Sequence, residues 1–382
     1  MENVELENKA PEVFDVLPLD KGKRILVFLA DFFLNFILAF LLFTIAGLPL
    51  GKAFSGYTKK NSDYVTNLTE RADILYENKI LFNSKNVDRS NIIYNASFTY
   101  FCFLSYFCFE EENPTNVEYE QYGHKEENNI FRHYFIDIMK DEKSYISFFD
   151  LYNNNKSYFV RDNLTITLKS EYRSQIYPFF DKGDVQSKEA DRMMEEIETT
   201  LFYPLYSEVM SSIEKNDLTY GDLSYVAVKN KITTFEKYVY NLAVGASLSS
   251  LLLSSAILYV LIPFLNKNKK TISMMIMKVE RVETTSLDII PKSKVVISFI
   301  YAFVSNMLIS FFIPLGFLLI FELFNIPLLM LLGFLSIALM LASLVFLLVN
   351  NFNMDLFDYL TRFVYLKTDT LDDIYRKKGY YI

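Results

Sequence analysis

The sequence predicts an α-helical membrane bundle of four transmembrane helices, both termini cytoplasmic, plus an α+β extracytoplasmic domain. Three observations predict it: long uncharged runs, a polar block between the first and second of them, and basic clusters beside their ends. Of 382 residues, 51% are hydrophobic and 16% aromatic beside 22% charged. That average conceals separate apolar and polar blocks, the mark of a membrane protein with a water-exposed part. Trp is absent, so an aromatic belt would be built from the 27 tyrosines.

A spanning helix needs about 20 mainly apolar residues. Residues 1–23 form a cytoplasmic leader whose Glu2, Glu5, Glu7, Glu12 and Asp15 make it too acidic for a cleavable signal peptide. Helix 1 occupies 24–50, with its apolar run from Ile25 to Ala46, and an extracytoplasmic domain fills 51–236. Helix 2 occupies 237–265, a basic cytoplasmic loop 266–294, helices 3 and 4 residues 295–350, and a cytoplasmic tail 351–382. The apolar runs of helices 2, 3 and 4 are Tyr238 to Leu265, Val295 to Phe321 and Ile326 to Val349.

Ser90 to Phe109 is also uncharged, but its polar and aromatic residues suit the core of a water-exposed domain better. Parity agrees. Lys21, Lys23 and Arg24 precede helix 1, Lys267, Lys269, Lys270, Lys278 and Arg281 follow helix 2, and Arg362, Lys367, Arg376, Lys377 and Lys378 follow helix 4. All three clusters lie on the cytoplasmic side only if the number of crossings between the first two is even, and a fifth span at Ser90 to Phe109 would push the second cluster outside.

The 51–236 insert then faces outward and carries about 21 basic and about 30 acidic side chains, which accounts for the chain's net charge of −8. Within it, Ser157 to Leu168 and Tyr145 to Leu151 read as strands, and Lys188 to Ser212 as an amphipathic helix ending near Lys215. Cys102 and Cys108 read as buried thiols, because six residues apart in one regular element they are too distant to bridge. Enzyme chemistry finds no foothold: two histidines, His124 and His133, stand nine residues apart, with neither zinc-ligand spacing nor a glycine-rich phosphate loop. No cofactor or metal is expected. Nucleic-acid binding is disfavoured by the acidic insert and by basic clusters confined to the helix ends.

The residue that asks for a function is Asp31, inside helix 1. On a helix, positions 24, 28, 31 and 35 share a face, so Arg24, Asp31 and Asn35 form a polar stripe with Phe28 inside it. A charged carboxylate at that depth costs roughly 2.5–3.5 kcal/mol even on lenient scales, so it needs a cationic partner, a wet pocket or a proton. Ser247, Ser250, Ser254 and Ser255 in helix 2 let helices approach closely.

Arg24 followed seven residues later by Asp31 resembles the Arg and first Asp of the RDD family of bacterial membrane proteins. Thr370-Leu371-Asp372-Asp373-Ile374 is similar to that family's Thr-Leu-x-Asp-Lys segment, which puts the second Asp at Asp373. The stretch beginning Lys270-Thr271-Ile272-Ser273 sits where the family has a Gly-Lys-Thr-Leu-Gly-Lys-type loop, though Ser273 and Lys278 replace expected glycines. The resemblance covers the membrane part, about half the chain. It implies a multi-pass protein of the bacterial cytoplasmic membrane, with cation/proton exchange proposed for some members and association with other membrane proteins for others.

Two roles follow. In one, the bundle moves monovalent cations or protons using Asp31, with Arg24, Asn35 and Asp373 beside it. In the other, Asp31 pairs with a basic side chain of the loop or tail, the bundle transports nothing, and the outer domain recognises a protein or ligand. One span, a large outer domain and three further spans also resemble the mechanotransmission permeases of ABC systems.

Overall fold

The computed structural model describes residues 17–85, 87–153, 158–182, 187–307, 309 and 327–377. The chain divides into two compact units: residues up to Thr58 together with those from Lys237 on, and Lys59–Glu236 between them. The protein is mostly helical with three small two-stranded sheets among the described residues.

Helix α1, Lys21–Phe54, starts at Asp20, whose carboxylate accepts the Lys23 backbone N–H at 2.9 Å. Its Leu26, Phe33, Ile37 and Ile45 are exposed, whereas Val27, Asn35, Ala39 and Phe43 are buried. Helix α1 and the 41-residue helix Tyr225–Leu265, α8 below, are each long and apolar enough to cross a membrane.

The central unit holds helices α2 (Tyr57–Glu77), α3 (Ile92–Cys108) and α4 (Glu142–Asn153). Hairpin β1–β2 (Phe159–Asp162, Thr165–Leu168), helices α5 (Ser170–Lys182), α6 (Lys188–Ile197) and α7 (Tyr203–Asn216), and hairpin β3–β4 (Thr219–Tyr220, Leu223–Ser224) complete it. The uncharged run Ser90 to Phe109 is a core helix of this unit. Along α3, Tyr100, Phe103 and Leu104 are buried, and the Phe103 ring lies 5.0 Å from Phe131 and 5.5 Å from Phe202. Cys102 and Cys108 are buried free thiols.

Tyr145 to Leu151 belongs to helix α4, not to a strand. Asp141 accepts the Ser144 backbone N–H at 3.0 Å ahead of it, and Tyr145 and Phe149 are both buried. That i, i+4 pair gives one apolar helical stripe, so capping and burial override the β propensity of the aromatic residues. Among the described residues, strands in this unit are confined to the two hairpins.

Helix α8 runs Tyr225–Leu265, and its part from Lys237 on belongs to the other unit, where it packs on α1. A Cβ on Gly47 would stand 2.6 Å from Ser250 Oγ and 3.2 Å from the Ala246 carbonyl, so glycine is what permits this approach. Helix α9 (Ile272–Ile276), strand β5 (Val279–Glu283) and helix α10 (Lys292–Ser305) follow. Then come α11 (Pro327–Val349), α12 (Leu356–Thr361), strand β6 (Phe363–Lys367) and α13 (Thr368–Lys377). The end of the third expected span, with Pro314, lies outside the described residues.

The expected loop 266–294 and tail 351–382 are not two loose segments. Strands β5 and β6 pair antiparallel, Val279 with Lys367 through Glu283 with Phe363, and the Leu19 N–H donates to the Tyr365 carbonyl at 2.8 Å. Val282, Leu287, Val364, Leu366 and Leu371 form a small core beneath the ribbon. The apolar run Phe363-Val-Tyr-Leu366 of β6 and Val279 and Val282 of β5, buried together in the ribbon although distant in sequence, create this cap.

Candidate functional site

Three stretches distant in sequence converge around the first turns of α1. Asp355-Leu-Phe-Asp358 opens helix α12 as a capping box: Asp355 Oδ1 accepts the Asp358 N–H at 2.7 Å, and Asp358 Oδ2 accepts the Asp355 N–H at 3.4 Å. The box fixes both carboxylates toward Arg24. The guanidinium donates to Asp355 Oδ2 at 2.6 Å and to Asp358 Oδ2 at 2.5 Å, and lies 3.9 Å from the Tyr365 ring centroid on β6.

Arg24 is 3% exposed and Asp358 1%. Burial pushes the Asp358 carboxyl up to about 6, with Arg24 pulling the other way. Breaking such a pair by removing one partner strands the other charge in the interior.

Asp31 stands about two turns further along the same face of α1. Its Oδ2 accepts the Thr271 hydroxyl at 3.1 Å, and Thr271 in turn caps α9 and shares a hydrogen bond of 3.0 Å with Ser273 Oγ. The 270–273 segment is therefore the part of the loop that reaches Asp31, through a hydroxyl and not through a cation. No ion pair of Asp31 occurs among the described residues. Lys270 is committed elsewhere, to Glu280 at 2.7 Å and to Thr368 Oγ1 at 3.1 Å, and Ile272 opens α9.

A cleft of about 70 Å³ opens between these groups, lined by Arg24, Asp31, Asp355 and Asp358, by Arg281 of β5, and by hydroxyl, amide and aromatic side chains including Tyr259 and Asn306. Arg281 donates to Ser298 Oγ at 3.3 Å. Two arginines thus face three carboxylates, and one negative charge is left without a partner in a poorly solvated space.

Two expected site residues fall elsewhere. Asn35 is buried against α8, where its Oδ1 accepts from Ser254 at 2.6 Å and its Nδ2 donates to Ser255 Oγ at 3.0 Å. An amide saturated by its helix neighbour is packing, and it does not line the cleft. Asp373 is exposed on α13, and the carboxylates that meet Arg24 are Asp355 and Asp358. The reason is the register of β6: the capping box before the strand is laid against α1, whereas α13 leaves after it. Sequence reasoning misses Asp355, Asp358 and Tyr365, and takes Arg281 only as part of the basic cluster after helix 2. The Asp-x-x-Asp spacing directly after the last apolar run is the signal that points to the first two.

The chain matches no protein-family model, no curated protein and no solved structure.

Proposed function

We propose that the chain is an RDD-like, non-enzymatic multi-pass protein of the bacterial cytoplasmic membrane, with four spans and both termini inside, and that it serves transport by exchanging a proton for a monovalent cation at Asp31. The observation that carries this reading is charge. The cleft holds two guanidinium groups and three carboxylates, and Asp31 is the carboxylate held only by hydroxyl groups. A buried site with one surplus negative charge gains one proton or one monovalent cation.

Nearby guanidinium groups repel a resident metal ion, and among the described residues no cluster of three or more His, Cys, Asp or Glu side chains suits one. Exchange, with brief occupancy, fits this setting better than storage. Thr271 ties Asp31 to α9, so a change of charge on Asp31 is felt first by the cap.

The test is a pH-sensitive dye in inverted vesicles containing the wild-type chain or Asp31→Asn, with sodium, potassium and lithium salts added in turn. Cation-triggered proton movement that disappears in Asp31→Asn supports the reading. Absence of movement in well-folded wild type would sink it and shift attention to what the 51–236 domain recognises.

A further inference from the structure

We propose that Asp358 is a second proton-carrying carboxylate of this site, joined to Asp31 by water in the cleft, with Arg24 and Asp355 as the ion pair that remains when Asp358 takes the proton. The inference rests on the exchange reading above. Its first support is three buried polar atoms without hydrogen-bond partners in one place: Asp358 Oδ1, Arg24 Nε and Arg281 Nε. All three residues line the cleft and are at most 9% exposed. One acceptor and two donors around a void are what water satisfies, and about 70 Å³ holds roughly two waters at about 30 Å³ each in the liquid.

The second support is the arithmetic of the ion pair. Arg24 carries one charge and touches two carboxylates, Asp355 and Asp358. Arg24 neutralises one of them, and Arg281, the cleft's other guanidinium, bonds Ser298 and makes no ion pair with either among the described residues. A proton on Asp358 leaves Arg24 and Asp355 as a balanced pair, so Asp358 can accept a proton without unmaking the interaction that holds the cap to α1. The free Oδ1 is the atom that receives it, because Oδ2 is occupied by Arg24 and by the Asp355 N–H.

The step balances. The O–H bond of protonated Asp31 breaks, a bridging water takes that proton while releasing another to Asp358 Oδ1, and the total charge of the cleft does not change. The groups that face Asp358 and set its affinity for the proton are Arg24 from α1, Asp355 on its own helix, Arg281 from β5, Tyr365 from β6 and Tyr301 from α10. Of these, the arginines hold the carboxylate form and Asp355 opposes it. Asp358 thus sits at the cap end of a two-carboxylate relay and Asp31 at the helix end.

Infrared difference spectroscopy on the full chain in liposomes tests this, between about pH 5 and about pH 8, either side of the value near 6 to which burial pushes Asp358. Wild type should show two titrating carboxylic-acid bands. Asp31→Asn should remove one and Asp358→Asn the other, and Asp358→Asn should slow cation-triggered proton movement by about a hundredfold. Circular dichroism checks the fold; if Asp358→Asn does not fold, Asp358→Glu keeps the carboxyl and must shift its band. A single band lost in Asp31→Asn, with Asp358→Asn or Asp358→Glu leaving both spectrum and exchange as in wild type, overturns the inference and leaves the exchange reading standing. Absence of the Asp31 band as well, with no exchange in wild type, fails the reading itself.

Discussion

The two units of the chain treat buried polarity in opposite ways. The Lys59–Glu236 unit fills its interior with rings, among them Tyr100, Phe103, Phe131, Phe149 and Phe202, and among the described residues its buried polar side chains are neutral, Asn95, Thr99, Ser105 and Asn128 included. Its ion pairs, such as Arg89 with Asp73 and Arg132 with Glu126, lie at the surface. The other unit buries Arg24, Glu280, Arg281, Asp355 and Asp358. Exposed pairs are worth about 0–1 kcal/mol, and buried ones exact a desolvation penalty that apolar residues would avoid. Charge kept inside at that disadvantage is what sets this unit apart and is why the proposed exchange is placed there.

Removing Arg24 should give the largest effect. Arg24→Met keeps the length of the side chain but leaves Asp355 and Asp358 buried together without their cation, a loss of about 3–5 kcal/mol for a broken buried pair. Limited proteolysis with mass spectrometry should show the helical unit opening at lower denaturant while the Lys59–Glu236 unit keeps its wild-type resistance. Equal loss in both units would erase the contrast just drawn.

Next in size is a pH effect with a defined sign. The Asp358 carboxyl is pushed up to about 6 in the folded chain by burial, against about 3.9 for an unperturbed aspartate. The folded state therefore binds the proton more tightly than the unfolded one between those values. The stability that Asp358 contributes is fully present below about pH 4 and is lost as pH rises through about 6. Asp358→Asn should remove that slope from the helical unit's unfolding midpoint measured across the window. An unchanged slope would show that another group sets it.

Gly47→Ala probes the helix contact. The added Cβ would meet Ser250 Oγ at 2.6 Å and the Ala246 carbonyl at 3.2 Å. Overpacking of this kind costs about 1–3 kcal/mol. Because Ser250 can rotate but the backbone carbonyl cannot, Gly47→Ala combined with Ser250→Ala should recover only part of the loss in a thermal melt.

How legible all this was in the sequence follows the range of the interactions. Long uncharged runs and the aromatic run Ser90 to Phe109 declare their burial locally, since periodicity and the absence of charge are properties of neighbouring residues. Tyr145 to Leu151 misled because its aromatic residues favour strands, while the helix is started by Asp141, just outside the run. At the site, Arg24 and Asp31 stood out because a charge inside an apolar run is anomalous on its own. Their true neighbours did not: Arg24 meets residues 331 and 334 positions away. Asp355 and Asp358 look like an ordinary helix start until the β5–β6 ribbon brings them under α1. Asp373 was drawn into the site by resemblance alone, and its place after β6 leaves it on the surface.

The smallest effect is also a carboxylate, and it has the opposite sign to Asp358. Asp141 accepts the Ser144 hydroxyl at 2.6 Å and the Ser144 N–H at 3.0 Å, and these bonds hold its carboxyl below the usual aspartate range. A depressed carboxyl gives stability that is present above its unfolded value near pH 4 and is lost as pH falls through the lower folded value. Asp141→Ala should cost about 1 kcal/mol at neutral pH, the ordinary loss for a helix cap. Below about pH 3 the variant and wild type should converge, because the protonated wild-type cap accepts its bonds less well. Acid therefore weakens the surface cap of the aromatic unit and relieves the buried carboxylate of the helical one. Hydrogen exchange at the α4 amides, followed beside the helical unit's melt, should separate the two trends within one pH series.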